Sequence, residues 1–173
     1  WESGKTLSDA LNTVRSAKDF FFPQTENLMD FRTEGKKIKI IDTRRECEDF
    51  VVFGVRACDV RSFDVLDKVF LAEPVDSYYR NRREHGVIVS LACTKPHETC
   101  FCRTFGIDAA SPAGDVTCWK TEDALYLEAN TEKGKALLES VAALTADADE
   151  KPVADQQKTI RERMEKLPLA NLT

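Results

Sequence analysis

The chain has 173 residues, 42% apolar and 32% charged, and is long enough to bury about two thirds of its unfolded surface without disulfide staples. Seven glycines and six prolines are too few for a disordered or collagen-like chain. A net charge of −5 with no polybasic run argues against nucleic acid or an anionic membrane as the main partner.

The longest uncharged apolar runs, such as Phe50 to Val55, are far too short to span a bilayer, so no membrane insertion is expected. No secretory signal pattern opens the chain, and a cytoplasmic location is the expectation. It begins at Trp1 rather than Met and reads as part of a longer polypeptide.

Ser8-Asp9 caps a helical pattern through Leu11, Val14 and Ala17, which gives way to Phe20-Phe21-Phe22 and Pro23. A short helix is predicted from Thr25, with Leu28, Met29 and Phe31 on one face. Lys36 to Asp42 alternates charged and apolar residues, as a half-exposed strand does. Phe50 to Val55 is continuously apolar and predicts a strand buried on both faces.

Val60, Phe63, Leu66, Val69 and Phe70 follow helical spacing within Asp59 to Phe70, and Asp76 to Arg83 predicts a second helix that Gly86 ends. Val87 to Ala92 is again continuously apolar. The order strand, helix, helix, strand makes a right-handed βαβ crossover with parallel strands. Val116 to Lys120 and Ala124 to Glu128, joined by Thr-Glu-Asp, predict a β-hairpin. A helix over Glu132 to Ala143, a polar linker at Thr145 to Asp149 and a charged helix from Val153 to Lys166 complete the chain. The fold class is therefore α/β: a mixed sheet with a parallel βαβ core, an added hairpin and flanking helices. Residues 1–145 form the α/β domain, and residues 146–173 a linker and C-terminal helix.

Six cysteines stand at Cys47, Cys58, Cys93, Cys100, Cys102 and Cys118. Nothing indicates secretion, so metal is a better first reading than disulfides. Cys58 follows the first buried strand and Cys93 follows the second, so in a parallel pair both emerge at the carboxyl edge, where open α/β folds place ligands. Cys100 and Cys102 lie in the loop that leaves Cys93. Four thiols are a full ligand set for an iron–sulfur cluster or for zinc. Structural zinc usually uses two C-x₂₋₄-C pairs, whereas Cys58 followed by C-x₆-C-x-C suits a wider 4Fe-4S cubane better, with zinc as the alternative. Arg56, Arg61, Lys95 and Arg103 lie close by in sequence and would offset thiolate charge, as would the N-terminus of the following helix. The competing reading is a set of unrelated buried thiols, and it is the preferred one for Cys47 and Cys118.

Phe53-Gly54-Val55-Arg56-Ala57-Cys58-Asp59, Asp76-Ser77-Tyr78-Tyr79, Arg82-Arg83-Glu84 and Cys93 to Cys102 ending in Cys-Phe-Cys resemble one known family. Phe22-Pro23-Gln24-Thr25-Glu26 and Thr131-Glu132-Lys133-Gly134-Lys135 look like it as well. It is the beta subunit of cytoplasmic sulfhydrogenases, together with the related iron–sulfur subunit of anaerobic sulfite reductase. The resemblance implies an iron–sulfur electron-transfer subunit that relays electrons between a flavin-containing partner and the catalytic subunit of a hydrogenase or sulfite reductase, itself an accessory rather than a catalyst. Family members usually continue into a ferredoxin-like module with two clusters. This chain has no C-x₂-C-x₂-C-x₃-C run, and Ala57 stands where the family commonly has proline. The alternative function is an interaction scaffold, with structural zinc or no metal, that docks such a module.

His85 and His97 belong to no paired pattern and read as surface residues. Arg80, Arg82 and Arg83 beside two tyrosines read as a solvated helix face rather than a docking surface. No G-x-G-x-x-G, Walker A or G-x-S-x-G sequence occurs. The Thr94 to Arg103 loop is expected to hold three thiols near the surface, and oxidation to pair Cys93 with Cys100 or Cys102.

Overall fold

The computed structural model describes residues 15–43 and 48–170. Cys47 and most of the helical pattern predicted from Ser8 lie outside the described residues; of that pattern, Ala17–Phe20 forms a 3-10 turn capped by the Ser16 side chain. Strands β1 (Asp30–Glu34) and β2 (Lys37–Ile41) make a separate antiparallel hairpin. Strand β3 (Phe50–Val55) leads through helices α1 (Ala57–Phe70) and α2 (Ser77–His85) to strand β4 (Gly86–Leu91). Strands β5 (Val116–Lys120) and β6 (Leu125–Ala129) follow, then helices α3 (Glu132–Ser140) and α4 (Lys151–Glu165). The main sheet runs β3-β4-β5-β6, parallel across its first two pairings and antiparallel at the last. Among the described residues no helix is long and apolar enough to cross a membrane.

The predicted α/β class, βαβ crossover and hairpin are all present, with element ends shifted by one or two residues. Two expectations are corrected. The helix predicted from Thr25 is instead the approach to β1, because Gly35, at φ 64°, opens a two-residue hairpin loop that sets Glu34 opposite Lys37. Three apolar residues at helical spacing carry less structural weight than that turn.

The second correction concerns β3, which is an edge strand among the described residues. Val51 and Phe53 are 48% and 43% exposed, while Val52 and Val55 are buried beneath α1. Simple alternation would turn Val55 to the other face. An irregularity in the β3–β4 register at Gly54, whose φ is 86°, restores it to the covered face opposite Ser90. The central β4 does show the two-sided burial expected of it, with Ile88, Val89 and Ser90 all buried.

Three apolar clusters hold the layers. Phe21, Val52, Val55, Val60, Phe63, Tyr79 and Ile88 join the sheet to α1 and α2. Val89, Val116 and Cys118 meet Leu137 and Leu138 of α3 on the opposite face. Ala92, Cys93, Ala109, Ala110 and Trp119 pack against Ile160 and Met164, so α4 is seated beside the strand ends that carry the cysteines.

One polar cluster is built into the first apolar layer. The Arg83 guanidinium stands 5.4 Å from the ring centres of both Phe21 and Phe63 and pairs with both Asp67 oxygens at 2.9 Å. Tyr79 donates its hydroxyl to Asp67 at 2.6 Å. Burial by itself would raise the Asp67 pKa, but the donors from Arg83 and Tyr79 outweigh it and hold the carboxyl below its ordinary value. A carboxylate lowered by folding stabilises the fold above its unfolded pKa, and that contribution disappears as pH falls through the lowered folded value. Wild-type stability in urea should therefore fall on acidification below about pH 4. Asp67→Asn should be destabilised by about 1–3 kcal/mol at neutral pH and show a flatter acid limb. Equal acid limbs in the two proteins would assign the transition to another group.

Candidate metal centre

Strands β3 and β4 run parallel, with Val55 opposite Ser90, so their following residues emerge together. Cys58 is the second residue of α1. Ala57 occupies the first helical position, which proline suits because its N–H has no helical partner, and alanine fits the same place. After β4, the Ala92 N–H donates to the Cys118 carbonyl and the Cys93 N–H to the Ala109 carbonyl, both at 2.9 Å. Arg56 ties the two strand exits together by donating to the Ala92 carbonyl at 3.3 Å.

The loop beyond Cys93 is shaped by short-range bonds. The Cys100 N–H donates to the His97 carbonyl at 3.0 Å, and the His97 N–H donates to the Cys100 sulfur at 3.3 Å. Cys102 opens a 3-10 turn, Cys102–Phe105. Helix α4 and the residues after it hold this loop from behind. Arg163 donates to the Thr94 carbonyl at 2.6 Å, Glu165 pairs with Arg103 at 3.1 Å, and Thr104 donates to the Leu169 carbonyl at 3.0 Å.

Cys58, Cys93, Cys100 and Cys102 all lie at this end of the sheet and influence one another's charge. The Cys58 and Cys102 thiols share a hydrogen bond, and Cys93 and Cys100 both act on Cys102 through space. Cys58 is exposed, Cys100 and Cys102 are half-buried, and Cys93 is buried, so the loop does not hold all three of its thiols near the surface. Cys118 is not part of the group. Its side chain is fully buried with Val89 and Val116, and burial alone pushes its thiol up to about 11. Among the described residues, no three His, Cys, Asp or Glu side chains are grouped as for a single metal ion.

Charge sorts these sulfurs. The hydrogen bond from Cys102 is the largest influence on Cys58 and, against burial and the neighbouring Asp59, lowers its thiol to about 6. The same bond raises Cys102 well above its ordinary range, so the pair keeps one proton between its two sulfurs. Cys93 is raised by burial, against the pull of Arg56 and a backbone N–H from Lys95.

Of the four cations expected here, Arg56 acts on a thiol directly. Arg61 is paired with Asp64 at 2.7 Å and Arg103 with Glu165. His85 meets Asp49 at 2.7 Å, and the His97 ring meets Thr99 at 2.8 Å. Arg80 lies exposed beside Glu84 as expected of a solvated face, but Arg82 and Arg83 are turned inward and paired with Glu26 and Asp67, because Arg83 packs over the Phe21 and Phe63 rings. Sequence reasoning missed the direct Cys58–Cys102 contact. Its only signal was the position of each cysteine at the start of a helical turn.

These differences set an order of reactivity. Alkylation by iodoacetamide in the metal-free protein should modify Cys58 first, with a rate that rises through about pH 6. Cys118 should react only on unfolding. Peptide mapping at short times checks this, and first modification at Cys93 or Cys118 would contradict the charge assignment.

No protein-family model matches the chain, and no solved structure matches it. Among curated proteins, subunit beta of sulfhydrogenase 2 from Pyrococcus furiosus is 32% identical over 126 residues, which covers 73% of this chain and 36% of that protein. The chain spans about a third of the length of the curated relative it matches. The resemblance carried by the cysteine-bearing segments thus has a measured counterpart over most of the sequence, and the chain belongs to the family of sulfhydrogenase beta-subunit-like proteins.

Proposed function

We propose that this chain is an electron-transfer domain of a hydrogenase-type oxidoreductase complex, with a 4Fe-4S cluster held by Cys58, Cys93, Cys100 and Cys102. What supports the reading is that thiols follow two parallel strands at one edge of the sheet and influence one another's charge. Likeness to a sulfhydrogenase subunit beta supports the hydrogenase context. A bound cluster would supply a one-electron donor and acceptor.

The remaining work falls to the chain. Buried Cys93 fixes the inner side of the site, and exposed Cys58 its outer side. Backbone N–H groups of Lys95 and His97 donate to the sulfurs of Cys93 and Cys100, contacts of the kind that tune cluster potential. The clamp from α4 holds the loop so that distance to a partner stays fixed. Four thiolate ligands leave no open coordination position, so the domain makes and breaks no substrate bonds itself. The family resemblance supports a flavin-containing subunit on one side and a hydrogenase or sulfite reductase catalytic subunit on the other. It also supports a ferredoxin-like module after α4 as the next relay site.

Anaerobic reconstitution tests this reading. The protein should become brown with about four irons per chain. Cys47→Ser and Cys118→Ser should keep that iron, while Cys58→Ser should lose most of it. Colourless protein with a single zinc would overturn the proposal in favour of a scaffold domain.

A further inference from the structure

The β1–β2 hairpin has the pattern of half a β-sandwich. Phe31 stands opposite Ile40 and Thr33 opposite Ile38, so these four share one face, while Arg32 opposite Lys39 and Glu34 opposite Lys37 share the other. Alternation of this kind belongs to an antiparallel sheet with one face packed and one in water. Yet Phe31, Ile38 and Ile40 are 70%, 69% and 67% exposed, and Met29, at the approach to β1, is 56% exposed. Two strands alone are marginal in water unless something packs on them. The hairpin is nonetheless held firmly at its base. Tyr78 donates to the Leu28 carbonyl at 2.6 Å, Thr43 donates to the Asn27 carbonyl at 2.7 Å, and Arg82 pairs with Glu26.

From this pattern we infer that the apolar face of the hairpin packs against the same face of a second copy of this chain. Taking about 200 Å² for each such side chain when fully exposed, Met29, Phe31, Ile38 and Ile40 present about 500 Å² of apolar surface. A standard interface takes about 800 Å² from each partner, and homodimer interfaces are about 65% apolar, which asks for about 500 Å² of apolar surface a side. The area therefore matches. Charge points to a like partner, because the face carries no charged side chain. It can meet itself without repulsion and offers a complementary partner no charge to recognise. Pairing edge to edge does not serve. Two copies aligned antiparallel about the middle of β1 or of β2 would set Arg32 against Arg32 or Lys39 against Lys39. Face to face, the two hairpins make a four-stranded sandwich, with Phe31, Ile38 and Ile40 of each copy between the sheets and Arg32, Glu34, Lys37 and Lys39 left in water. The same patch serves both copies, so the contact closes on itself and makes a dimer rather than a filament. It uses no residue of the cysteine loop and holds whatever the thiols bind.

Sedimentation velocity of the full chain from about 1 μM to about 1 mM tests this, since interfaces of standard size hold at micromolar concentration or below. The chain should pass to a species of twice its mass within that range. Ile40→Lys, and Thr33→Lys, which removes no large apolar group, should each weaken the dimer about tenfold or more, because either puts a charge inside the closed face. Lys39→Ala, on the opposite face, should leave the dimer unchanged. Folding of each variant is read from Cys118, which is fully buried and stays unreactive to iodoacetamide in the folded chain. A monomer throughout the range overturns the second copy as the occupant. A dimer of undiminished strength in folded Ile40→Lys and Thr33→Lys overturns the assignment of the face.

Discussion

The site depends first on the parallel pairing of β3 with β4. Both strands have six residues and run the same way, so the segments that follow them start at one edge of the sheet. An antiparallel pair of that length would separate the two exits by about 20 Å, beyond the reach of any shared ligand. Parallel pairing in turn requires a crossover, which α1 and α2 provide, and the apolar layer beneath them keeps the crossover in place. Cys58 is then exposed in the first turn of the crossover, and Cys93 sits just beyond the end of β4.

A second constraint is electrostatic. In the metal-free protein the hydrogen bond from Cys102 lowers the Cys58 thiol and raises its own, so the two sulfurs differ in charge. A polycationic core lets both ionise, so loading with metal and ordering of such a site are coupled. The loop is not left to the metal alone. Arg163, Glu165 and the Leu169 carbonyl fasten it to the C-terminal helical segment, whose Ile160 and Met164 are themselves anchored among Ala92, Cys93 and Trp119. The C-terminal helix thus acts as a brace for the cysteine loop.

Much of this was legible in the sequence because it is local. The apolar runs at Phe50 and Val87 marked parallel strands, and their ends marked the edge where the thiols meet. What was not legible depends on long-range packing. Continuous apolar character could not show that β3 lies at an edge, nor that an irregularity at Gly54 turns Val55 inward. The Thr25 helix failed because a turn at Gly35 has more say over its neighbours than three apolar residues do. Which thiols touch was hidden as well, since Cys58 and Cys102 are joined by the path of the loop and not by spacing. The cations near the ligands in sequence were readable, but not that Arg61 and Arg103 are already engaged by Asp64 and Glu165.

The central claim, that these four sulfurs surround one cluster, is tested most directly by anomalous diffraction at the iron edge from crystals of the anaerobically reconstituted protein. The account predicts one compact iron feature bounded by the sulfurs of Cys58, Cys93, Cys100 and Cys102. Iron bound through Cys47 or Cys118, or through only two of the four, would contradict it.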